Sequence, residues 1–382
     1  MTTFADRCAS LVDLLDQHAA TAEQSRRVSD EVIAAAHDVD LFRAATPTSL
    51  GGYSVPFDDF VSGTRIMAHG DVASAWTLSF LVMHGWFISQ FPELTLKEVF
   101  ADGADAPLAP APLAPTGKIV PTDGGFVLNG RWEWATGINH ANWVLLNGVQ
   151  TEPTFDMKFC LVPADEVDVD DVWFTSGMRA TGSNTVVAKD LFVPEHRVLS
   201  AFSFYEPSER NAGDSYANLP LAPVLAIFAA APALGGAERA VELYEERLRT
   251  RVLAYSLGDK AAEQPVAQSR LAEAKADVQA ARDYFECTVA RFLAARDAGE
   301  MTHEIRSSTR LAAASIVRSA RQIVGFVAEG AGASVYMDSH PLQRIQRDIE
   351  TLKGHAVFDW DRTTELAGRI ALGFDVRPTD MV

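Results

Sequence analysis

Four short segments of the chain carry residue types that could do chemistry. Residues 177–184 combine glycines with hydroxyl side chains, and in such a turn backbone amides and short hydroxyls can approach a flat polar ligand. Residues 132–143 combine aromatic rings with polar side chains, which could line a pocket for a ligand of that shape. His84 and His355 are candidate acid–base groups, because an imidazole titrates near neutral pH.

Each of these segments also has a purely structural interpretation. Residues 177–184 could be an ordinary polar turn, and residues 132–143 a packed β-hairpin with a polar tip. His84 lies in an apolar run and could be a hydrogen-bonded core histidine, while His355, beside Gly354, could be a satisfied helix histidine. Spacing alone leaves both interpretations open.

Several well-known motifs are missing from the sequence. No GxGxxG follows a strand, so no Rossmann nicotinamide site is predicted, and GxxxxGK[ST], GxSxG and HExxH do not occur. Residues 329–334 carry only two glycines after a helical stretch, which indicates a helix C-terminus. The acidic residues 165–171 alternate like a strand and lack the calcium-loop glycine, so we expect a solvated strand face and no metal site.

Composition limits the possible partners and the compartment. The 382 residues carry a net charge of −18 without a basic patch, which argues against nucleic acid and anionic membrane as partners. Cys8, Cys160 and Cys287 are far apart and odd in number, so we expect neither a disulfide framework nor a zinc site. We see no signal peptide and no apolar run of membrane-spanning length, and therefore expect a cytoplasmic protein.

The first part of the chain, residues 1–108, is predicted to be a helical domain. Ser29 can cap a helix that continues through Val39 to Phe42 and stops before Pro47. Residues 73–91 are nearly continuous in apolar side chains, which predicts a buried helix carrying His84.

The middle of the chain, residues 109–210, is predicted to be a compact, antiparallel, β-barrel-like domain. An irregular proline-bearing linker opens it, and β-type runs follow at residues 126–128, 132–134, 143–146 and 159–162. We expect turns between them at residues 123–125 and 129–130.

The last part, residues 211–382, is predicted to be a four-helix bundle. Long alanine-rich stretches with periodic apolar positions mark the four helices, with Pro232 as a kink in the first. The stretches are residues 225–248, 266–298, 303–329 and 341–372. The whole chain is therefore α+β, mostly α, in the order α, β, α.

Motifs spread over nearly the whole chain resemble the acyl-CoA dehydrogenase superfamily. Leu41-Phe42-Arg43 followed by Pro47 and Gly51-Gly52-Tyr53 looks like its N-terminal signature, and residues 71–76 look like its next helix. Residues 177–184 and the C-terminal 341–348, with Arg344 and Asp348, are similar to two further family segments. The resemblance implies the three-part fold described above and a flavin bound at subunit contacts, so we expect a homotetramer.

Two enzymatic branches share this fold, and a single position bears on the choice. Many acyl-CoA dehydrogenases place a glutamate base about eight residues beyond the Arg347-Asp348 pair. Ala356 occupies that position here, and a methyl group cannot accept a proton. Some dehydrogenases carry the base elsewhere, so an acyl-CoA dehydrogenase-type oxidoreductase with FAD remains the alternative. A non-catalytic helical scaffold is the third possibility.

The closer resemblance is to the oxygenase components of two-component flavin-dependent monooxygenases. That branch implies reduced FMN or FAD, delivered by diffusion from a separate flavin reductase, and molecular oxygen as co-substrate. A flavin C4a-hydroperoxide would then hydroxylate an aromatic substrate (phenolic, polycyclic or indole-like) or an amine, with water excluded from the site.

The resemblance also assigns candidate roles. Ser183 would hydrogen-bond flavin N5, while His84 or His355 would deprotonate or orient the substrate. The remaining candidate flavin contacts are Trp134, Thr136, Gly182, Arg251 and Gln268, and the candidate substrate contacts are Trp86 and His140. Arg251 would reach a neighbouring subunit's flavin phosphate. For Arg251 and Gln268, a solvated polar side chain on a helix is an equally good interpretation.

Overall fold

The computed structural model describes residues 3–101, 105–204, 215–377 and 380. The predicted boundary between residues 210 and 211 lies outside this described part. Helices and strands follow the predicted order α, β, α. The N-terminal helices are α1 (Phe4–Ser25), α2 (Asp30–Asp38), α3 (Phe57–Met67), α4 (Val72–Ile88) and α5 (Glu93–Val99).

Helix α2 begins where predicted but ends early. The Ser29 side chain accepts a hydrogen bond from the Val32 amide and so caps its first turn. The predicted continuation to Phe42 is wrong, because Asp40 adopts a left-handed conformation with φ 57°. A separate 3₁₀ turn, Leu41–Arg43, follows it.

Helix α4 is the buried helix predicted near residues 73–91. Asp71 caps it by accepting from the Ser74 amide at 2.9 Å, and all residues from Val72 to Ile88 are buried. A helix that is apolar on every side must be surrounded by other elements. It therefore forms a rigid central support for whatever packs around it.

The seven strands form one sheet in the order β5-β6-β2-β1-β3-β4-β7. They are β1 (Gly117–Thr122), β2 (Gly125–Ala135), β3 (Trp143–Gln150), β4 (Asp156–Pro163), β5 (Asp168–Asp170), β6 (Asn184–Pro194) and β7 (Val198–Ser200). The expectation of a purely antiparallel domain is wrong for one pair, since β1 and β3 run parallel over a short register at Gly117 and Lys118.

Two local predictions in the sheet have different outcomes. A turn occurs at Asp123 and Gly124, as expected, but none occurs at Asn129-Gly130. There β2 continues with a register shift against β6 between Leu128 and Gly130, so the glycine serves a bulge rather than a turn. The acidic stretch forms a 3₁₀ turn and the short edge strand β5, which pairs with β6 on one side and is exposed at Asp168.

The C-terminal helices are α6 (Leu221–Thr250), α7 (Pro265–Asp297), α8 (His303–Ala331), α9 (Pro341–Leu352) and α10 (Trp360–Ala371). The predicted fourth long helix is thus two helices, because the chain turns at Gly354 and restarts at an Asp359 cap. His355 lies in this turn and not on a long helix. Helix α6 runs through Pro232, and α8 ends at Gly332 with φ 83°, as the glycine pattern indicates.

The described residues form two hydrophobic cores. One is shared by the N-terminal and C-terminal helices, and a smaller one lies within the sheet around Trp132. Helices α6 and α8 are long and apolar enough to cross a membrane by length and composition, but their most apolar windows are 100% and 56% buried inside the protein. Core packing is sufficient to explain the composition of α6.

Candidate active site

A cluster of three hydroxyl side chains lies where the turn of residues 177–184 meets the end of β2. The Oγ atom of Ser183 is 3.0 Å from Oγ1 of Thr136 and 2.7 Å from Oγ1 of Thr181. Ser183 and Thr181 are buried, whereas Thr136 is half-buried. The predicted site residues Thr136 and Ser183 are therefore brought together from distant parts of the chain.

Backbone conformation and close packing shape this turn. Met178 and Gly182 both adopt left-handed conformations, with φ 53° and 50°, on either side of a short 3₁₀ segment. A side chain at Gly182 would overlap the Asn139 amide and lie 2.8 Å from the carbonyl oxygen of Arg26. Glycine is therefore needed here for space as well as for φ.

A buried group of charged residues anchors the other end of the turn. Asp348 on α9 accepts a hydrogen bond from the backbone amide of Met178. Arg344, also on α9, places its Nε atom 3.5 Å from Oδ1 of Asp71 at the start of α4. Burial, and then the neighbouring Asp71 carboxyl, raise the pKa of Asp348. This group ties α4, α9 and the turn into one unit.

His84 lies on α4 with one ring nitrogen committed to the backbone. Its Nδ1 atom is 2.6 Å from the carbonyl oxygen of Ala109, and a carbonyl oxygen only accepts, so Nδ1 carries the proton. Burial lowers the pKa of His84 to about 4. The ring is then neutral near pH 7, and its Nε2 atom offers a lone pair.

His355 has the complementary arrangement. Its Nδ1 atom accepts from the backbone amide of Val357 at 3.4 Å, so in the neutral ring the proton sits on Nε2. Burial lowers the pKa of His355 to about 4 as well. Within the described residues, neither His84 nor His355 has a hydrogen-bond partner at Nε2. One histidine offers an acceptor and the other a donor.

Phe80 connects the two histidines. Its ring centroid is 5.8 Å from that of His84 and 6.4 Å from that of His355. Trp76, one turn earlier on α4, lies 5.4 Å from His355. The aromatic face of α4 therefore carries His84 and contacts His355, in surroundings that favour neutral rings.

Trp134 and Thr136 lie at the exposed end of β2. Trp134 is 61% exposed and has φ 65°, an uncommon conformation for a bulky residue. The following Gly137 packs against Thr77 and Leu81 of α4. The end of β2 is thus seated on the helix that carries His84.

Trp86 and His140 have mainly structural neighbours. The Trp86 ring packs on Tyr216 with centroids 5.7 Å apart. His140 points toward the junction of α1 and α2, with its Nδ1 atom 3.5 Å from Nη2 of Arg27 and 3.8 Å from Oδ1 of Asp30. Burial, and then Arg27, lower the pKa of His140 to about 4.

Arg251 and Gln268 lie at the far end of the bundle. Arg251 donates to the carbonyl oxygen of Gly330 at 3.1 Å, and Gln268 donates to that of Ala262 at 2.9 Å. Phe228, which contacts Phe80, precedes Arg251 on α6 by 23 positions, or roughly 34 Å of helix. Within one chain, Arg251 is therefore remote from the histidines.

Three residues without a role predicted from the sequence also shape this site. Thr181 joins the hydroxyl cluster, Phe80 contacts both histidines, and Asp348 accepts a hydrogen bond from the turn. The Thr-x-Ser spacing of residues 181 and 183 in the glycine-bearing turn was a usable signal for the first. The contacts of Phe80 and Asp348 depend on packing between distant segments.

Comparisons with known proteins identify the family. Residues 227–360 match the family described as acyl-CoA dehydrogenase, C-terminal domain. The chain is 31% identical to the flavin-dependent monooxygenase, oxygenase subunit HsaA, of Rhodococcus jostii (strain RHA1), over 98% of this chain and 99% of that protein. It is 29% identical to the p-hydroxyphenylacetate 3-hydroxylase, oxygenase component, of Acinetobacter baumannii, over 98% of this chain and 90% of that protein.

The fold comparison agrees with the sequence comparison. The solved structure of XiaF from Streptomyces sp., in complex with FADH2 and glycerol, is similar with a TM-score of 0.89 at 27% identity, over 98% of this chain and 96% of that chain. The predicted resemblance and the acyl-CoA dehydrogenase-like fold are confirmed. The chain is an enzyme and belongs to the family of oxygenase components of two-component flavin-dependent monooxygenases.

Proposed function

We propose that this oxygenase hydroxylates a phenol-type aromatic substrate beside His84 and His355, using reduced flavin held at the hydroxyl cluster. The observation that carries the proposal is the pair of neutral histidines flanking Phe80, one with a free acceptor nitrogen and the other with a free N–H. A phenol needs an acceptor for its O–H, and Nε2 of His84 is suited to that role.

The residues of the candidate flavin site fit the edge of a flavin ring. Thr136 and Ser183 offer hydroxyl oxygens, and Gly182 adopts the left-handed conformation that shapes the turn carrying Ser183. Trp134 adds an exposed indole next to them, and its strained backbone suits a residue held for function. When bound, reduced flavin supplies the activation of molecular oxygen. Ser183 would contact the flavin edge and restrain loss of hydrogen peroxide.

Both histidines would be neutral when the substrate binds. With a pKa of about 4, His84 is an unprotonated acceptor near pH 7, and it would orient the phenol through its O–H. His355 would hold a proton at Nε2, available to a substrate oxygen atom bound next to Phe80. The apolar rings of α4 would exclude water from the bound substrate.

A panel of substrates tests the proposed class. We expect the purified chain, given reduced FMN or FAD and oxygen, to convert phenols to hydroxylated products and to leave simple amines unchanged. His84→Gln should lower kcat/KM for the phenol by about 100-fold or more. His37→Gln, at an exposed histidine on α2, is the matched control and should be silent. Turnover of amines alone, or full activity of His84→Gln, would contradict the proposal.

The relatives named as oxygenase components imply a separate reductase that supplies the reduced flavin. We further propose that transfer occurs by diffusion, that the enzyme works in the cytoplasm, and that four copies assemble. Two observations support assembly: Tyr255 and Leu257 are fully exposed near the end of α6, and Arg251 is remote from its own chain's histidines. In an assembly, Arg251 and Gln268 would serve a neighbour's flavin.

Mixing two variants with different defects tests the shared site. Ser183→Ala lies in the hydroxyl cluster, and Arg251→Ala removes the side chain proposed to reach a neighbour's flavin. If each flavin uses both subunits, co-expressed variants should form some sites with neither defect and recover part of the coupled activity. Sedimentation of a monomer, or no recovery in mixed oligomers, would contradict a site shared between subunits.

A further inference from the structure

The three hydroxyls of the candidate flavin site form a continuous hydrogen-bonded chain. Thr136, Ser183 and Thr181 follow one another at 3.0 and 2.7 Å, and the chain ends on the carbonyl oxygen of Met178, 2.9 Å from Oγ1 of Thr181. Ser183 and Thr181 are 4% and 2% exposed, so these hydroxyls cannot easily exchange partners with water. Each of these hydroxyl protons must therefore be donated to another member of the hydrogen-bonded chain.

The carbonyl group fixes the direction of the whole chain. A hydroxyl has one proton and a carbonyl oxygen has none, so Thr181 must donate to Met178. Thr181 can then only accept from Ser183, and Ser183 can only accept from Thr136. All three hydroxyl protons therefore point toward the Met178 carbonyl group. The oxygens of Ser183 and Thr136 therefore keep their remaining lone pairs for a ligand.

Two other donors share the Met178 carbonyl. The indole Nε1 of Trp173 lies 3.0 Å from it and the backbone amide of Thr181 lies 3.2 Å from it. The Thr181 hydroxyl, at 2.9 Å, makes the shortest of the three contacts. The Met178 carbonyl oxygen is thus the final acceptor of the hydrogen-bonded chain. This geometry favours donation from each hydroxyl toward that oxygen.

The oxidation state of a flavin changes what N5 offers at this edge. In reduced flavin N5 carries a proton and donates, whereas in oxidised flavin N5 has only a lone pair and accepts. We propose that Thr181 is a positioning residue that keeps Ser183 a hydrogen-bond acceptor, so that the site favours reduced over oxidised flavin. The inference rests on the proposed flavin site. To bind oxidised flavin with a hydrogen bond, Ser183 would have to turn its proton away from Thr181.

Thr181→Val tests this role because valine has nearly the shape of threonine without the hydroxyl. The variant frees the Ser183 proton, so oxidised flavin should gain a hydrogen bond. We expect the ratio of Kd for oxidised flavin to Kd for reduced flavin to fall by about fivefold to tenfold. Thr181→Ser retains the hydroxyl and should restore the ratio. Both constants are measured by anaerobic titration of the full chain with FMN and FAD, without turnover.

Thr77→Val is the matched control. Thr77 is a buried threonine on α4 beneath Gly137. Its hydroxyl donates to the carbonyl oxygen of Ala73 and takes no part in the hydrogen-bonded chain of Thr136, Ser183 and Thr181. It should leave the ratio unchanged. An unchanged ratio in Thr181→Val, or a rise caused by weaker oxidised binding, would overturn the inference. If the valine variant does not fold, Thr181→Ala provides the same comparison. Absence of reduced-flavin binding by the wild type would instead defeat the proposed function itself.

Discussion

The buried histidines should make this protein sensitive to mild acid. Burial lowers the pKa of His84 from 6.5 to about 4, and the pKa values of His140 and His355 also fall to about 4. Below about pH 6.5 the unfolded chain binds protons at these positions while the folded protein does not. The contribution of these three histidines to the free energy of unfolding therefore falls as the pH drops from about 6.5 toward about 4, whereas the raised pKa of Asp348 acts in the opposite direction.

The size of the effect follows from the two pKa values. For His84, linkage between a pKa of 6.5 in the unfolded chain and about 4 in the folded protein gives a loss of about 2 kcal/mol between pH 7.5 and pH 5. The same shift at His140 and His355 would bring the summed contribution of the three histidines to about 6 kcal/mol, before the opposing contributions of Asp348 and His69. That is a large part of the roughly 5–15 kcal/mol that stabilises a typical protein.

Urea unfolding of the wild type and of His84→Gln at about pH 7.5 and about pH 5 measures the effect. Glutamine does not titrate, so the variant should lose about 2 kcal/mol less than the wild type over this range, whatever its stability at neutral pH. Identical pH dependence in the two proteins would refute the assignment of a buried, neutral His84.

His69 provides a control of opposite sign. Burial opposes its charged form, but hydrogen bonds to Glu238 and Glu242 outweigh burial and raise the pKa of His69 to about 9. This histidine adds stability below about pH 6.5 that is lost as the pH rises through about 9. His69→Gln should therefore increase the loss of unfolding free energy between pH 7.5 and pH 5 by about 1 kcal/mol.

Two further substitutions test the turn of residues 177–184. Ser183→Ala should increase the hydrogen peroxide released per product by about tenfold, because one hydrogen bond at the flavin edge is lost, while Ser183→Thr should retain most of the coupling; equal peroxide yields in wild type and Ser183→Ala would contradict this role. A side chain at Gly177 would overlap the Arg347 carbonyl group, so Gly177→Ala should weaken reduced-flavin binding and lower Tm by several degrees. Gly325→Ala, where no atom lies within 4 Å, is its control, and equal Tm values in the two variants would refute the packing argument.

Local patterns in the sequence were sufficient to predict the elements that carry the site. The apolar run around His84 predicted α4, and Ser29 marked the start of α2. The setting of His355 was not predicted, because alanine-rich and apolar periodicity continues on both sides of the break. The available signal was Asp359, which accepts from the Arg362 amide and starts a new helix after Gly354.

The hydroxyl chain and its anchors could not be derived from local patterns. Thr136 and Ser183 are 47 positions apart, and Asp348 is 170 positions from Met178. Hydrophobic periodicity specifies which face of a helix or strand is buried, but not which distant polar groups meet. Family resemblance directed attention to Ser183, and only the folded arrangement brought in Thr181.

Oxygen isotope incorporation tests the central claim most directly. The full chain is mixed with reduced flavin, a phenol that it converts, and ¹⁸O₂, and the product is examined by mass spectrometry. A monooxygenase places one atom of molecular oxygen in the product, so we expect a single ¹⁸O per hydroxylation. A product whose new oxygen comes from water, or no product together with bleaching of oxidised FAD by an acyl-CoA, would contradict the account.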